Sequence, residues 1–128
     1  MTVISVIIPT HNSSSTLRQC LTSIAGDVQS IDEIIVVADG SVSSDLAIVS
    51  EYDSQVLTIS EQSGPARARN LGAQAAQGDI LFFVDSDVTI PPGAIERIRR
   101  TFDDNPELAA LIGSYDDEPA EKNFLSQY

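Results

Sequence analysis

The sequence is poor in cysteine, histidine and basic residues. Its one cysteine, Cys20, excludes a disulfide framework and a cysteine-based zinc cluster, and its one histidine, His11, excludes a histidine-based zinc site. Seven Lys and Arg residues stand against 19 Asp and Glu residues, which gives a net charge of −12. Since so few cations cannot build a basic surface, we expect no nucleic acid partner.

Long apolar runs are also missing. No stretch approaches the roughly 18 residues that span a bilayer, and no basic segment of a signal peptide precedes the first apolar run. We therefore expect a cytoplasmic chain. A length of 128 residues with 42% hydrophobic residues predicts one domain, residues 1–128, with its own core.

Apolar runs alternate with helical patterns along the chain. The predicted strands are Val3–Ile8, Glu33–Ala38, Gln55–Ser60 and Ile80–Val84, with a fifth at Leu108–Ile112. The predicted helices span residues 14–24, 44–51 and 64–77, and a fourth begins at Pro91 or Pro92. The strands are solid apolar runs, which is typical of a parallel sheet buried on both faces, so the fold class is α/β.

Short polar groups follow three of these strands. Ligands of an open parallel sheet bind beyond the carboxyl ends of its strands, so we expect these groups to form one site. They are Pro9-Thr10-His11-Asn12, Asp39-Gly40-Ser41 and Asp85-Ser86-Asp87.

Each group also has a simpler interpretation. Asp85 and Asp87 are two positions apart, so in an extended segment both carboxylates face one cation, but the same pattern occurs in solvated acidic loops. Asp39 and Gly40 form an ordinary turn dipeptide. Two arginines, Arg67 and Arg69, near the start of the third helix suit a diphosphate, or they are simply solvated.

Several segments together resemble family 2 glycosyltransferases, which have the A-type nucleotide-sugar-binding fold. The resemblance rests on Ile4–Asn12 (ISVIIPTHN), Asp32–Ser41 (DEIIVVADGS) and Gly64–Asp87. It implies a three-layer α/β/α, Rossmann-like domain with a mostly parallel sheet. It also implies inverting transfer of a sugar from a nucleoside diphosphate sugar, assisted by Mg²⁺ or Mn²⁺.

The resemblance also implies roles for individual residues. In this family the loop that matches Pro9–His11 and the acid that matches Asp39 hold the nucleobase, and the segment that matches residues 68–70 supports the nucleotide. Asp87 matches the metal ligand, and Asp85 lies toward the ribose and the metal waters. The expected nucleotide-binding residues are Pro9, Thr10, His11, Asn12, Asp39, Arg69, Asp85 and Ser86, and the expected metal ligands are Asp87 and Asp85.

Two departures from the family pattern affect these expectations. Ala38 stands where the family has the first of two acids, so Asp39 is the expected base contact; a carboxylate accepts the imide N–H of uracil, which favours a UDP-sugar. The family's general base is expected beyond Tyr128, so the chain is interpreted as the donor-binding half of a longer enzyme, with an unknown acceptor and no transfer activity of its own.

That interpretation carries expectations about partners. Apolar surface near Leu108–Ile112 and around Phe124 and Leu125 is expected to be exposed and to favour a homo-oligomer. Membrane association is expected only through further sequence, at the inner face of the membrane. A non-catalytic nucleotide-sugar-binding module stays open as an alternative. A receiver-type signalling domain fits poorly, because Lys122 is the only lysine.

Overall fold

Strands and helices alternate along the chain, as the sequence predicts. The structure is a computed structural model that describes residues 2–40 and 43–108. Within these residues the strands are β1 (Ile4–Thr10), β2 (Glu33–Asp39), β3 (Gln55–Ile59) and β4 (Ile80–Phe83). The helices are α1 (Ser14–Ala25), α2 (Ser43–Val49), α3 (Pro65–Ala75) and α4 (Ala94–Asp104).

The four strands form one parallel sheet in the order β3-β2-β1-β4. Helix α3 packs on one face, against Ile7, Ile35 and Val37, and helices α1, α2 and α4 pack on the other. The α/β class and the three layers are therefore confirmed. The chain runs outward from β1 to β3 and then returns to the other side of β1, so the strand order reverses between β1 and β4.

A glycine on α3 lets this helix lie close to the sheet. A Cβ on Gly72 would come within 2.4 Å of Ile7 Cγ2 and 3.3 Å of Val37 Cγ2. Both partners are fully buried branched side chains of the two central strands, so neither has free space to move into. The position of α3 above β1 and β2 therefore depends on residue 72 being a glycine.

Helix α4 begins later than the sequence predicts. The expected start at Pro91 or Pro92 is wrong, because Gly93 has a φ of 84° and is the N-cap, so the first helical residue is Ala94. Asp27, just after α1, accepts hydrogen bonds from the N–H groups of Gly93 (2.7 Å) and Ile95 (2.9 Å). A carboxylate 66 residues away caps this helix, and no local sequence pattern shows that.

Strand β1 also departs from its predicted bounds, since it continues through Pro9 to Thr10. The last pair between β1 and β4 joins Ile7 to Phe83, so Pro9 has a strand neighbour only in β2. A residue without an N–H group is tolerated where pairing on one side has ended. The predicted fifth strand begins at Leu108, which is not in a strand, and its other residues lie outside the described ranges, as do Phe124 and Leu125.

Two apolar side chains of β4 are exposed. Ile80 and Phe82 of β4 face the larger core, whereas Leu81 and Phe83 point to the other face and are 42% and 40% exposed. Helix α3 covers β1 and β2 on that face. The described helices therefore leave this face of β4 open to solvent.

A buried ion pair joins α4 to the amino ends of β1 and β2. Arg99 donates to both carboxylate oxygens of Asp32 (3.0 and 2.6 Å), and the two side chains are 2% and 0% exposed. Asp32 also accepts from the N–H groups of Ile4 and Gln29. Burial opposes ionisation of Asp32, but the hydrogen bonds outweigh it and lower the pKa of this carboxyl below its usual value.

Substitution of Gly72 tests the close approach of α3. We expect Gly72→Ala to lower the free energy of unfolding by about 1–2 kcal/mol, because overpacking outweighs the better helix propensity of alanine. Gly26→Ala is the matched control, since its Cβ would meet only the Thr22 carbonyl at 3.4 Å and its φ of −75° suits alanine. Urea unfolding measures both. A Gly72→Ala variant as stable as Gly26→Ala would contradict the packing argument.

The ion pair predicts a specific pH dependence. Because the folded pKa of Asp32 is depressed, its contribution is present above the unfolded value of about 3.9 and is lost as pH falls through the folded pKa. We expect Asp32→Asn to cost about 3 kcal/mol at pH 7 and progressively less below pH 4. Urea unfolding at several pH values measures the gap, with Asp53→Asn, on an exposed side chain, as control. A gap that stays constant down to pH 2 contradicts the assignment.

Candidate functional site

A cleft of about 400 Å³ opens at the carboxyl ends of β1, β2 and β4, where the strand order reverses. All three polar groups of the sequence contribute to it. Its lining comprises Pro9, Thr10, His11, Ser13, Asp39, Gln62, Pro65, Ala68, Arg69, Asp85, Ser86 and Asp87. Of the expected site residues only Asn12 is absent from this lining. The parallel sheet therefore brings together segments that are as much as 78 positions apart in sequence, from Pro9 to Asp87.

The loop after β1 is held in one conformation by His11 and Asn12. His11 Nδ1 lies 2.7 Å from the carbonyl oxygen of Asp39, and because a carbonyl only accepts, this nitrogen carries a proton. Asn12 has a φ of 51°, a conformation that asparagine tolerates, and its amide contacts His11 Nε2 at 3.4 Å. Asn12 thus shapes the loop from outside the cleft.

Asp39 joins β2 to the start of α3. Its two carboxylate oxygens accept from the N–H groups of Ser63 (2.8 Å) and Gly64 (2.9 Å), and the residue is 5% exposed. A carboxylate has about four lone-pair sites, so acceptor capacity toward the cleft remains. The sequence identified Asp39 as a ligand candidate but gave no sign of this second, structural role.

Arg69 projects from the first turns of α3 into the cleft. Its Nη2 lies 3.2 Å from Asp85 Oδ1, and the two side chains are 39% and 53% exposed. Arg67 is exposed and does not line the cleft, so the pair of arginines considered from the sequence contributes only one cation here. The contact places this cation beside the acidic loop.

The carboxylates of Asp85 and Asp87 differ from the other acids near the sheet. Six acids accept backbone N–H groups and are thereby committed to the fold: Asp27, Asp32, Glu33, Asp39, Asp45 and Asp79. No backbone N–H group of the described residues donates to Asp85 or Asp87, both of which are exposed in the cleft. These two carboxylates are therefore available to a ligand.

The two carboxylates after β4, those of Asp85 and Asp87, could supply part of the ligand set of a hard divalent cation. Carboxylate oxygens are the ligands that Mg²⁺ and Mn²⁺ prefer. Within residues 2–40 and 43–108, no cluster of three or more His, Cys, Asp or Glu side chains that would hold a metal is formed. Two carboxylates fit a cation that takes its remaining ligands from water and from phosphate oxygens.

Helix α1 supports the acidic loop from below. The Cys20 thiol lies 3.6 Å from the carbonyl oxygen of Asp85, and Ser23 Oγ accepts from the Ile90 N–H at 3.1 Å. Burial, and then the charges of Asp87 and Asp85, raise the pKa of Cys20 to about 12. Cys20 is fully buried, as expected of a structural thiol.

Sequence reasoning missed three residues that line the cleft. Pro65 belongs to α3, whereas Gln62 and Ser13 lie in loops. Ser13 stands directly before the first residue of α1. Its position between two of the polar groups is a property of the three-dimensional structure, and the sequence offered no signal for it.

The comparisons with known proteins agree with this geometry. The chain matches the family described as Glycosyl transferase family 2 over residues 5–128, and it belongs to that family. It is 39% identical over 111 residues to the pre-mycofactocin glycosyltransferase of Mycobacterium tuberculosis, which covers 84% of this chain and 22% of that protein.

Solved structures of glycosyltransferases share the fold. TarS of S. aureus, in complex with UDP-GlcNAc, superposes with a TM-score of 0.77 at 28% identity, over 93% of this chain and 37% of that one. The mannosyltransferase PcManGT of Pyrobaculum calidifontis, in complex with GDP-Man and Mn²⁺, has a TM-score of 0.78 at 20% identity over the same shares, which supports the fold alone.

The chain spans between 22% and 37% of the length of these three proteins. Of the helices within the described ranges, none combines the length and the apolar character that crossing a bilayer requires.

Proposed function

We propose that this chain forms the donor-binding part of an inverting glycosyltransferase, whose cleft holds a nucleoside diphosphate sugar and a divalent cation. The observation that carries the proposal is the meeting of the loop after β1, Asp39 and the acidic loop in one cleft. Membership of Glycosyl transferase family 2 supplies the reaction class. TarS, which shares this fold, was solved with UDP-GlcNAc, which supports a uridine nucleotide.

The charges of the cleft explain the need for a cation. Asp39, Asp85 and Asp87 bring three carboxylates to its lining, and Arg69 is the one cation there among the described residues. A diphosphate would meet net negative charge at this site. Asp87, with Asp85, would hold Mg²⁺ or Mn²⁺, which would supply positive charge against the negative charge that develops on a departing diphosphate.

We assign the remaining cleft residues to contacts with either the nucleobase or the diphosphate. Asp39 offers free lone pairs to an imide N–H, and His11, whose ring is fixed by the Asp39 carbonyl, offers a flat surface to the base. Pro9 and Thr10 form the adjacent wall, and Arg69 lies on the phosphate side, next to Asp85.

Transfer to an acceptor needs a general base, which contributes typically 10²–10⁴-fold to the rate. The carboxylates that line the cleft are already assigned to the base and the cation. We therefore assign the general base and the acceptor surface to parts of longer family members that this chain does not match. Donor binding without turnover in the longest natural form would instead favour a non-catalytic binding module.

The metal assignment predicts cooperative binding of cation and nucleotide. We expect Mn²⁺ to strengthen binding of UDP by about 10-fold or more, and Asp87→Ala to remove this gain, because a cation held by this carboxylate would offset the charge of the diphosphate. Isothermal titration with and without Mn²⁺ measures the effect. The control is Asp104→Ala, at the exposed end of α4, which should keep the gain. Metal-independent binding by the unaltered chain rejects the metal site.

The base assignment predicts discrimination between UDP and CDP, whose bases differ in whether N3 donates or accepts. We expect UDP to bind about 10-fold tighter or more, because Asp39 accepts from the uracil N3–H and repels the cytosine N3 lone pair. In Asp39→Asn the preference should fall to within about 3-fold, because the amide can present its oxygen to the uracil N3–H or its NH₂ group to the cytosine N3 lone pair.

Because Asp39 also holds the N–H groups of Ser63 and Gly64, Asp39→Asn is expected to lose about 1–3 kcal/mol of stability. The readout is therefore the ratio of the two affinities, since a smaller folded fraction weakens both equally. An unchanged ratio in the variant rules out Asp39 as the base contact.

A further inference from the structure

Ser13 stands at the N-cap of α1 but does not cap this helix. A serine at this position normally accepts a hydrogen bond from an N–H group of the first turn with its side chain. Here no such bond forms, and the N–H groups of Thr16 and Leu17 reach the Ser13 carbonyl instead. The hydroxyl group is directed toward other partners.

Those partners join the loop after β1 to the acidic loop. Ser86 Oγ donates to Ser13 Oγ at 2.8 Å, and Ser13 Oγ donates to the His11 carbonyl oxygen at 3.1 Å. His11 in turn donates to the Asp39 carbonyl oxygen. The chain of hydrogen bonds thus runs from the residue between Asp85 and Asp87 to the residue proposed to contact the base.

Both ends of the Ser13–Ser86 hydrogen bond are fixed by buried groups. Asp45 is 1% exposed, and its Oδ2 lies 3.3 Å from the Ser13 N–H and 3.4 Å from Thr10 Oγ1, which holds the loop from behind. Ser86 is 9% exposed, and its neighbour Asp85 is supported by Cys20.

We propose that the Ser13–Ser86 hydroxyl pair is a latch that couples the base-binding loop to the metal-binding loop. Ser13 and Ser86 are positioning residues. In this role they contact neither the cation nor the phosphates, but their hydrogen bond fixes the position of one loop relative to the other. The proposal rests on the proposed function of the cleft. It predicts that binding of the base and binding of the cation strengthen each other through the protein, in addition to direct contact between cation and phosphate.

The experiment compares two ligands that differ in whether they fill the base pocket. The factor by which Mn²⁺ strengthens binding is measured by titration for UDP and for inorganic pyrophosphate, and free Mn²⁺ is followed by electron paramagnetic resonance. In Ser13→Ala and Ser86→Ala we expect this factor to fall about 5-fold for UDP, the equivalent of one ordinary hydrogen bond, and to stay unchanged for pyrophosphate.

Three further variants separate coupling from damage. Ser13→Thr keeps the hydroxyl group and should retain the factor, and Ser50→Ala, on an exposed serine outside the cleft, is the matched control. The double variant Ser13→Ala/Ser86→Ala removes both polar groups, so it should fold about as stably as either single variant and lose no more coupling than one. Circular dichroism at increasing temperature checks folding of each.

Two results would overturn the latch while leaving the proposed function intact. One is a UDP factor in both single variants within about 2-fold of the original value, which is smaller than the loss of one hydrogen bond. The other is an equal fall for UDP and pyrophosphate, which indicates a damaged metal site. If the unaltered chain binds UDP without help from Mn²⁺, the metal site of the proposed function fails and the latch fails with it.

Discussion

Strand β1 is the element on which the rest of the molecule depends, because it has a neighbour on each side and a helical layer on each face. Its residues Val6, Ile7 and Ile8 are fully buried, and they pack into both cores. The helices above and below take their positions from this strand. The loop after Thr10 therefore begins at a fixed point between the ends of β2 and β4. This fixes the position of the candidate site.

The acidic side chains are stabilised mainly by hydrogen bonds from backbone N–H groups. Asp27, Asp32 and Asp39 each accept two backbone N–H groups, at the start of α4, at the amino ends of β1 and β2, and before α3. Hydrogen bonds of this kind stabilise a carboxylate without a cationic side chain. With so few lysines and arginines, the chain can thus carry a net charge of −12 and still pair Asp32, whose side chain is fully buried, with the cation of Arg99.

Much of the fold was predictable from the sequence, because it depends on local patterns. Leu17, Cys20, Leu21 and Ile24, which form the buried face of α1, stand at helical spacing in the sequence, and the solid apolar runs identified a sheet covered on both sides. The start of α4 was not predictable. Its cap comes from Asp27, whose side chain reaches it only after the chain has folded.

The candidate site was also predictable only in part. Asp39, Asp85 and Asp87 were visible because each follows an apolar strand, and strand ends converge in a parallel sheet. The second role of Asp39, the absence of Arg67 from the cleft and the diversion of the Ser13 hydroxyl depend on the orientation of side chains across elements. Sequence spacing contains no information of that kind.

The glycine on the sheet-facing side of α3 has a consequence for the cleft. Gly72 lies one helical turn after Ala68, which lines the cleft beside Arg69. The thickness of one side chain at position 72 therefore fixes how far the wall formed by α3 stands from the acidic loop across the opening. The width of the cleft is thus set by a residue that does not line it.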